Sequence, residues 1–207
     1  MAVETKVPAS DGTINKDPFW FPSSGADFYA LIDEGVSSHD SDTTYIENRF
    51  SGSLTWAIFR TAAAFAIAEG NTIDKVSVSG VARFTNSGPP SIGTYFGIFT
   101  GTTRRQATIT TPTDSYAVGT VDWLTNPATS AAWTLEEVNA TDATTAHRLV
   151  VYGSDGFGIG GRMTSYAGRL RLTALEISVT YTEGGGGGGG VISQYPYYSM
   201  LMGGAGR

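Results

Sequence analysis

Few residues in this chain have types and spacing that could do chemistry. His39 stands in SSHDSD beside Asp40 and Asp42, and these three together could touch a cation. A calcium loop wants more oxygen ligands and a shaping glycine, so a solvated loop is the expectation. Glu136 and Glu137 are adjacent and point apart on either a strand or a helix, so alone they cannot flank one scissile bond. In WTLEEVN they suit the first turn of a short helix capped by Thr134. GFGIGGR (156 to 162) lacks the lysine and the following helix of a phosphate-binding loop. Asn139-Ala140-Thr141 spells a glycosylation sequon, expected to be unused. The other histidine, His147, is far from His39, and no serine sits in a nucleophile elbow. The sequence therefore assigns no catalytic residue, no metal ligand and no cofactor.

Composition narrows the function classes further. The net charge is −6, and the one basic pair, Arg104-Arg105, reads as a charged hairpin tip, so nucleic acid is not an expected partner. With no cysteine, neither a disulfide framework nor a thiolate metal site can form. No stretch of about 18 apolar residues occurs, so no membrane partner is expected. The start, MAVETKVPASDG, has neither the basic residues nor the apolar run of a secretion signal, which leads us to expect synthesis in a cytoplasm and solubility there.

The elements that would position these residues read as strands. Hydrophobic residues make up 41% of the chain and charged ones 15%, with 27 glycines and abundant Thr, Tyr and Phe, a composition that favours β structure. In IDKVSVSGVARFTN (73 to 86), Val76 and Val78 alternate with Ser77 and Ser79, and Gly80 interrupts as a bulge would. IGTYFGIF (92 to 99) and SYAVGTVDWL (115 to 124) are further strands, the second closed by the turn signal Asn126-Pro127. RLRLTALEISVTYT (169 to 182) slips phase at Ala174-Leu175, which predicts a bulge. YALIDEG (29 to 35) and TTYIEN (43 to 48) read as short strands around VSSHDSD. The Ala-rich TWAIFRTAAAFAIAEG (55 to 70) fits helical spacing, yet its flanks have period two, so we expect a strand over 53 to 59 and then an irregular connection. Residues 1 to 18 read as an extended arm pinned by the aromatic FWFP (19 to 22). The expected fold is all-β, an antiparallel two-sheet sandwich of jelly-roll type over 19 to 183, burying Val76, Val78, Leu175, Ile177 and Val179.

The order YALIDEGVSSHDSDTTYIEN, IDKVSVSGVARFTNS, AAWTLEEVNA, GFGI and RLRLTALEISVTYT resembles a loose group of bacteriophage virion proteins. In that group an Asp-rich loop leads into Thr-Tyr-Ile, a Val-rich strand ends in Ala-Arg, and the last strand ends in Val-x-Tyr. The resemblance covers about residues 26 to 182. It implies a jelly-roll or related sandwich on the particle, as a capsid decoration, head-fibre or tail-associated protein, with no catalytic residues to carry over. This chain departs from the group by inserting TDATTAHRLVVYGSD before GFGI, a stretch with room for an extra hairpin.

Seven glycines (184 to 190) then detach a tail. They span roughly 15 Å as a flexible linker. Beyond them Val191, Ile192, Tyr195, Tyr197, Tyr198, Met200, Leu201 and Met202 are too apolar for a solubilising end, and Pro196 forbids a continuous helix. We expect this tail to dock on a neighbouring subunit, with tyrosines burying rings at low entropic cost. The leading expectation is a non-enzymatic capsid decoration or cement subunit in a virion. It would associate with itself, as a trimer by analogy with such subunits, and contact other virion proteins such as the major capsid protein. The alternative is a tail-associated receptor-binding or carbohydrate-binding module, with Trp20, Trp56, Trp123 and Trp133 as the candidates for stacking on sugars, although core packing is the expectation for each of them. A β-sandwich hydrolase is a third class, without paired carboxylates in strand context.

Overall fold

The longest alternating segments of the sequence form the two longest strands, and these pair with each other. In the computed structural model, which describes residues 1–14, 20–48, 55–85, 93–109, 114–141, 148–150, 157–162 and 169–184, β6 (Thr72–Thr85) and β12 (Arg169–Thr182) run antiparallel along their whole lengths. Val76, Val78, Ala82 and Phe84 of β6 face the core with Leu170, Leu172, Leu175, Ile177 and Val179 of β12.

Two inward residues of β12 (Leu172 and Leu175) are three apart, so one residue must be accommodated out of phase. The ladder passes from Leu172↔Ala82 to Ala174↔Val81, which leaves Thr173 as the extra residue of a bulge. That is one position before the predicted slip. At Gly80 the expected bulge is absent: the residue pairs in register with both Leu175 and Gly119. Close packing explains the glycine instead, because a Cβ there would meet Phe96 Cζ at 2.8 Å and the Ala174 carbonyl oxygen at 3.0 Å.

Around this pair lie β4 (Ile46–Asn48), β5 (Thr55–Arg60), β7 (Gly93–Thr100), β8 (Thr103–Ile109), β9 (Ala117–Trp123) and β11 (Phe157–Arg162). Sheet A has the order β4-β12-β6-β9; in sheet B, β5 pairs with β11, β11 with β7 and β7 with β8. Eight strands in these two orders make the predicted jelly-roll sandwich. Phe59, Phe96, Ile98, Phe157 and Ile159 of sheet B pack onto sheet A in one core.

The remaining elements complete edges. β12 has fourteen residues and β4 only three, so most of that edge of β12 needs another hydrogen-bonding partner. β1 (Ala2–Lys6) supplies it against Ile177 to Tyr181, and the Leu175 amide bonds to the Ile32 carbonyl in the gap. β2 (Ser10–Ile14) pairs with β5 in sheet B. Most of the expected N-terminal arm is thus extended but built into both sheets. β3 (Trp20–Pro22) flanks β4, and Trp20 is buried in the core as the aromatic anchor implied. Within the inserted stretch, β10 (Leu149–Val150) pairs with β7; residues 142–147 and 151–156 lie outside the described ones.

One local expectation turned out differently. The strand expected over 29 to 35 is a 3-10 turn, Tyr29–Leu31, followed by loop. Phe28, Leu31 and Ile32 are all buried, and adjacent Leu31 and Ile32 cannot share one face of a strand. The Asp11 carboxylate holds the turn by accepting from the amides of Phe28 (3.3 Å) and Tyr29 (2.8 Å). By contrast, the segment after β5 is irregular as expected, and Asn139 anchors it by bonding both the amide (3.0 Å) and the carbonyl (2.8 Å) of Ile67. The one α-helical turn among the described residues, α1 (Leu135–Val138), carries the predicted cap: the Glu137 amide donates to Thr134 Oγ1 (3.2 Å), and the Thr134 amide donates to Glu137 Oε2 (2.9 Å).

Candidate functional site

The acidic loop and the outer face of sheet A form the richest cluster of charged and aromatic side chains among the described residues. Its base is one cross-strand row. Register places Arg171 of β12 between Glu47 of β4 and Arg83 of β6, all on the face turned away from the core. Two arginines directly opposite one another repel unless anions flank them. Glu47, 1% exposed, accepts from Arg171 Nε at 2.7 Å and from Arg169 Nη1 at 3.2 Å. On the other side Asp42 reaches down from the loop. Its Oδ1 accepts from Arg83 Nη2 (2.6 Å), Arg171 Nη1 (3.0 Å) and the Tyr116 hydroxyl (2.9 Å).

Aromatic rings complete the cluster. The Arg171 guanidinium lies 4.2 Å over the Tyr45 ring and that of Arg83 4.8 Å over Tyr116. The bulge at Thr173 turns its hydroxyl toward the loop, within reach of Asp40 Oδ1 (3.2 Å) and the Thr44 carbonyl (2.9 Å). Asp40 also accepts from the Thr44 amide (3.1 Å) and hydroxyl (2.9 Å). The His39 ring stands 6.2 Å from that of Tyr116. Asp40 and Asp42 are therefore committed to donors of the protein, and no group of three or more His, Cys, Asp or Glu able to hold a metal occurs among the described residues.

The electrostatics follow this geometry. Partial burial pulls the Asp42 carboxyl upward, but the Tyr116 and Arg171 hydrogen bonds and the Arg83 charge together outweigh it and hold it below the usual carboxylate range. Burial, then the hydrogen bond to Asp42 and its charge, push the Tyr116 phenol well above its ordinary value. For Arg171, burial works against the charge, yet the Glu47 carboxylate overcomes it and the guanidinium is held more tightly protonated. A carboxylate depressed in the folded state contributes stability that is full above its unfolded value and is lost as pH falls through the folded one. Asp42→Asn should therefore destabilise the protein near neutrality by about 1 kcal/mol, the upper range for partly exposed pairs. The gap to the parent should narrow as pH falls below the ordinary carboxylate range and through the depressed folded-state value, where the parent carboxyl is protonated too. Thermal melts of both proteins across pH 7 to 2.5 check this; a gap that stayed constant would refute the electrostatic origin.

The residues singled out from sequence fall in different places. Val191, Ile192, Tyr195, Tyr197, Tyr198, Met200, Leu201 and Met202 lie outside the described residues, as do His147 and residues 185–190 of the linker; Gly184 is tied by its amide to Asn71 Oδ1 (3.1 Å). All four tryptophans proposed as sugar platforms are buried. Trp20, Trp123 and Trp133 belong to the core, with Trp133 Nε1 donating to the Trp123 carbonyl (2.9 Å). Trp56 lies on the outer face of sheet B, yet Arg104 covers it at 4.3 Å and Gly97 closes against its ring. None of the four offers an open ring face for stacking. Arg83, Glu47, Tyr116 and Arg171 were not anticipated as a set. The available signal was polar residues at the outward phase of apolar strands, as in VARF and RLRL.

No protein-family model matches this chain, and no curated protein does. Among solved structures, it is similar to the CBM22-1 xylan-binding domain of Paenibacillus barcinonensis Xyn10C, with 10% identity, a TM-score of 0.34, and coverage of 85% of this chain and 92% of that one. It is also similar to the CBM22-1-GH10 modules of Clostridium thermocellum endo-1,4-beta-D-xylanase 10B complexed with xylohexaose, with 11% identity and a TM-score of 0.38; the match covers 86% of this chain and 29% of that one.

Proposed function

We propose that this chain is a non-enzymatic structural subunit of a bacteriophage particle, a capsid decoration protein whose work is assembly. The observation that carries this reading is where the virion-like motifs meet. Asp42 and Tyr45 come from HDSDTTYIEN, Arg83 from VARFTN, and Arg171 and Thr173 from RLRLTALEISVTYT, yet they close into one network. A motif kept for catalysis would aim its groups into a cleft. Here they face each other and fasten a loop to a sheet, so the motifs specify a scaffold. On that scaffold the C-terminal segment from Val191 to Met202 serves as the docking element for a neighbouring subunit, on a glycine tether that raises its local concentration.

Counting copies per purified particle by quantitative mass spectrometry, against the major capsid protein, tests the proposal. A lattice-scale number is expected, and a variant ending at Glu183 should fold but be lost from particles. A handful or a dozen copies would instead favour the tail-associated reading. Absence from particles, together with saturable binding to a polysaccharide, would overturn assembly in favour of carbohydrate recognition.

A further inference from the structure

Sheet edges invite pairing with other chains, and folded proteins guard them with prolines, charges, bulges or very short strands. Most edges here are guarded. β3 has three residues and ends in Pro22. β1 carries Glu4 and Lys6, joined at 3.0 Å. β2 has a register shift between Asp11 and Ile14, and β8 displays Arg104 and Arg105. β9 differs. Its seven residues, AVGTVDW, contain no proline and no basic residue, and they pair with β6 without a shift from Ala117 to Trp123. Its one charge, Asp122, is neutralised by Lys75 at 2.8 Å. Among the described residues no strand pairs with its outer edge. Four large hydrophobics are exposed among those residues, and two of them, Val118 (60%) and Leu124 (68%), flank this edge. Alternation with inward Val121 puts Val118 on the outer face of sheet A, and exposed Leu124 follows inward Trp123 directly at the end of β9.

We propose that β9 pairs antiparallel with β9 of a second copy about a two-fold axis through Val121, joining two A sheets into one. That register sets Val118 opposite the partner's Leu124 and Thr120 opposite the partner's Asp122, so exposed apolar groups meet and the carboxylate faces a hydroxyl. An axis through Thr120 would set Val118 against Asp122, and one through Gly119 would leave Leu124 beyond the paired strand. The two-fold uses the same patch on both copies, so association closes at the dimer. One strand pair is a small interface, so the dimer should be weak and populated at roughly 100 μM rather than at nanomolar concentration.

This inference names a partner within the assembly reading, and the two fail separately: a monomer in solution overturns the dimer, while the copy count still decides the virion role. Light scattering and sedimentation of the full chain at high concentration should give twice the monomer mass. Val118→Lys with Leu124→Lys should halve it, leaving circular dichroism and melting temperature unchanged because both side chains are exposed. The chain has no cysteine, so a Val118→Cys, Leu124→Cys variant reports the register directly. Directly opposed residues come within about 4.5–5.5 Å at Cβ, close to disulfide range, so oxidation should give a covalent dimer. Val118→Cys alone should not cross-link, since the two copies of residue 118 stand about 20 Å apart at 3.4 Å per residue. A monomeric parent, a dimer that survives the double lysine variant, or efficient cross-linking through residue 118 alone would each overturn the proposal.

Discussion

Glu47→Ala should lower the stability of the sandwich by about 3 kcal/mol, because removing one partner of a buried ion pair strands the other. For a domain of this size that corresponds to a melting temperature lower by about 6–12 °C. Glu47 is 1% exposed and holds both Arg171 and Arg169, while Arg171 in turn lies beside Arg83 across the sheet. Without the carboxylate, two guanidinium groups face each other with Asp42 alone between them. The effect should be specific to charge pairing rather than to volume. Glu47→Leu combined with Arg171→Leu should recover a large part of the loss, since apolar replacement of a whole buried pair is often neutral or better. Denaturant unfolding of the single and double variants measures both quantities. A loss under 1 kcal/mol for Glu47→Ala would mean that the row contributes little more than an exposed ion pair.

The second large effect is expected at Gly80. Replacing a strand glycine by alanine ordinarily stabilises by about 0.5–1 kcal/mol, because glycine loses more chain entropy on folding. Here the sign should reverse. The new methyl carbon would stand 2.8 Å from Phe96 Cζ, 3.0 Å from the Ala174 carbonyl oxygen and 3.1 Å from Leu172 Cδ1. Overpacking of this kind costs about 1–3 kcal/mol. The Ala174 oxygen belongs to the backbone of a paired strand and has little room to yield, so Gly80→Val should be worse still. Phe96→Leu placed beside Gly80→Ala should relieve the ring clash but not the backbone one. Thermal melts that showed Gly80→Ala to be neutral would mean the two sheets separate more easily than their packing implies.

What each strand is was legible in the residues; what each strand meets was not. Alternation over 73 to 79 and 175 to 181, the Asn126-Pro127 turn and the Thr134-Glu137 cap depend on neighbours within a few positions, and each stands in the structure where the sequence implied. The strand after residue 53 and its irregular sequel were also readable, because the flanking period was two. Inward residues Val76, Val78, Leu175, Ile177 and Val179 followed from the same periodicity. The misreadings share a physical cause. Tyr29–Leu31 became a 3-10 turn because Asp11, eighteen residues before Tyr29, supplied the hydrogen bonds. The N-terminal residues became strands because β12 outruns β4 and leaves an edge to be paired. Gly80 is small because Phe96 arrives from the other sheet.

The loop network is the extreme case. Asp42 and Arg171 are separated by 129 positions, and Asp42 and Tyr116 by 74. The sequence by itself determined that polar side chains would point outward from apolar strands, because side-chain direction alternates with every residue. Only the tertiary structure decided that Glu47, Arg171 and Arg83 share one row with Asp42 above it. That row depends on interstrand register, which is set by bulges and core packing distributed over the whole chain, and no local pattern carries it.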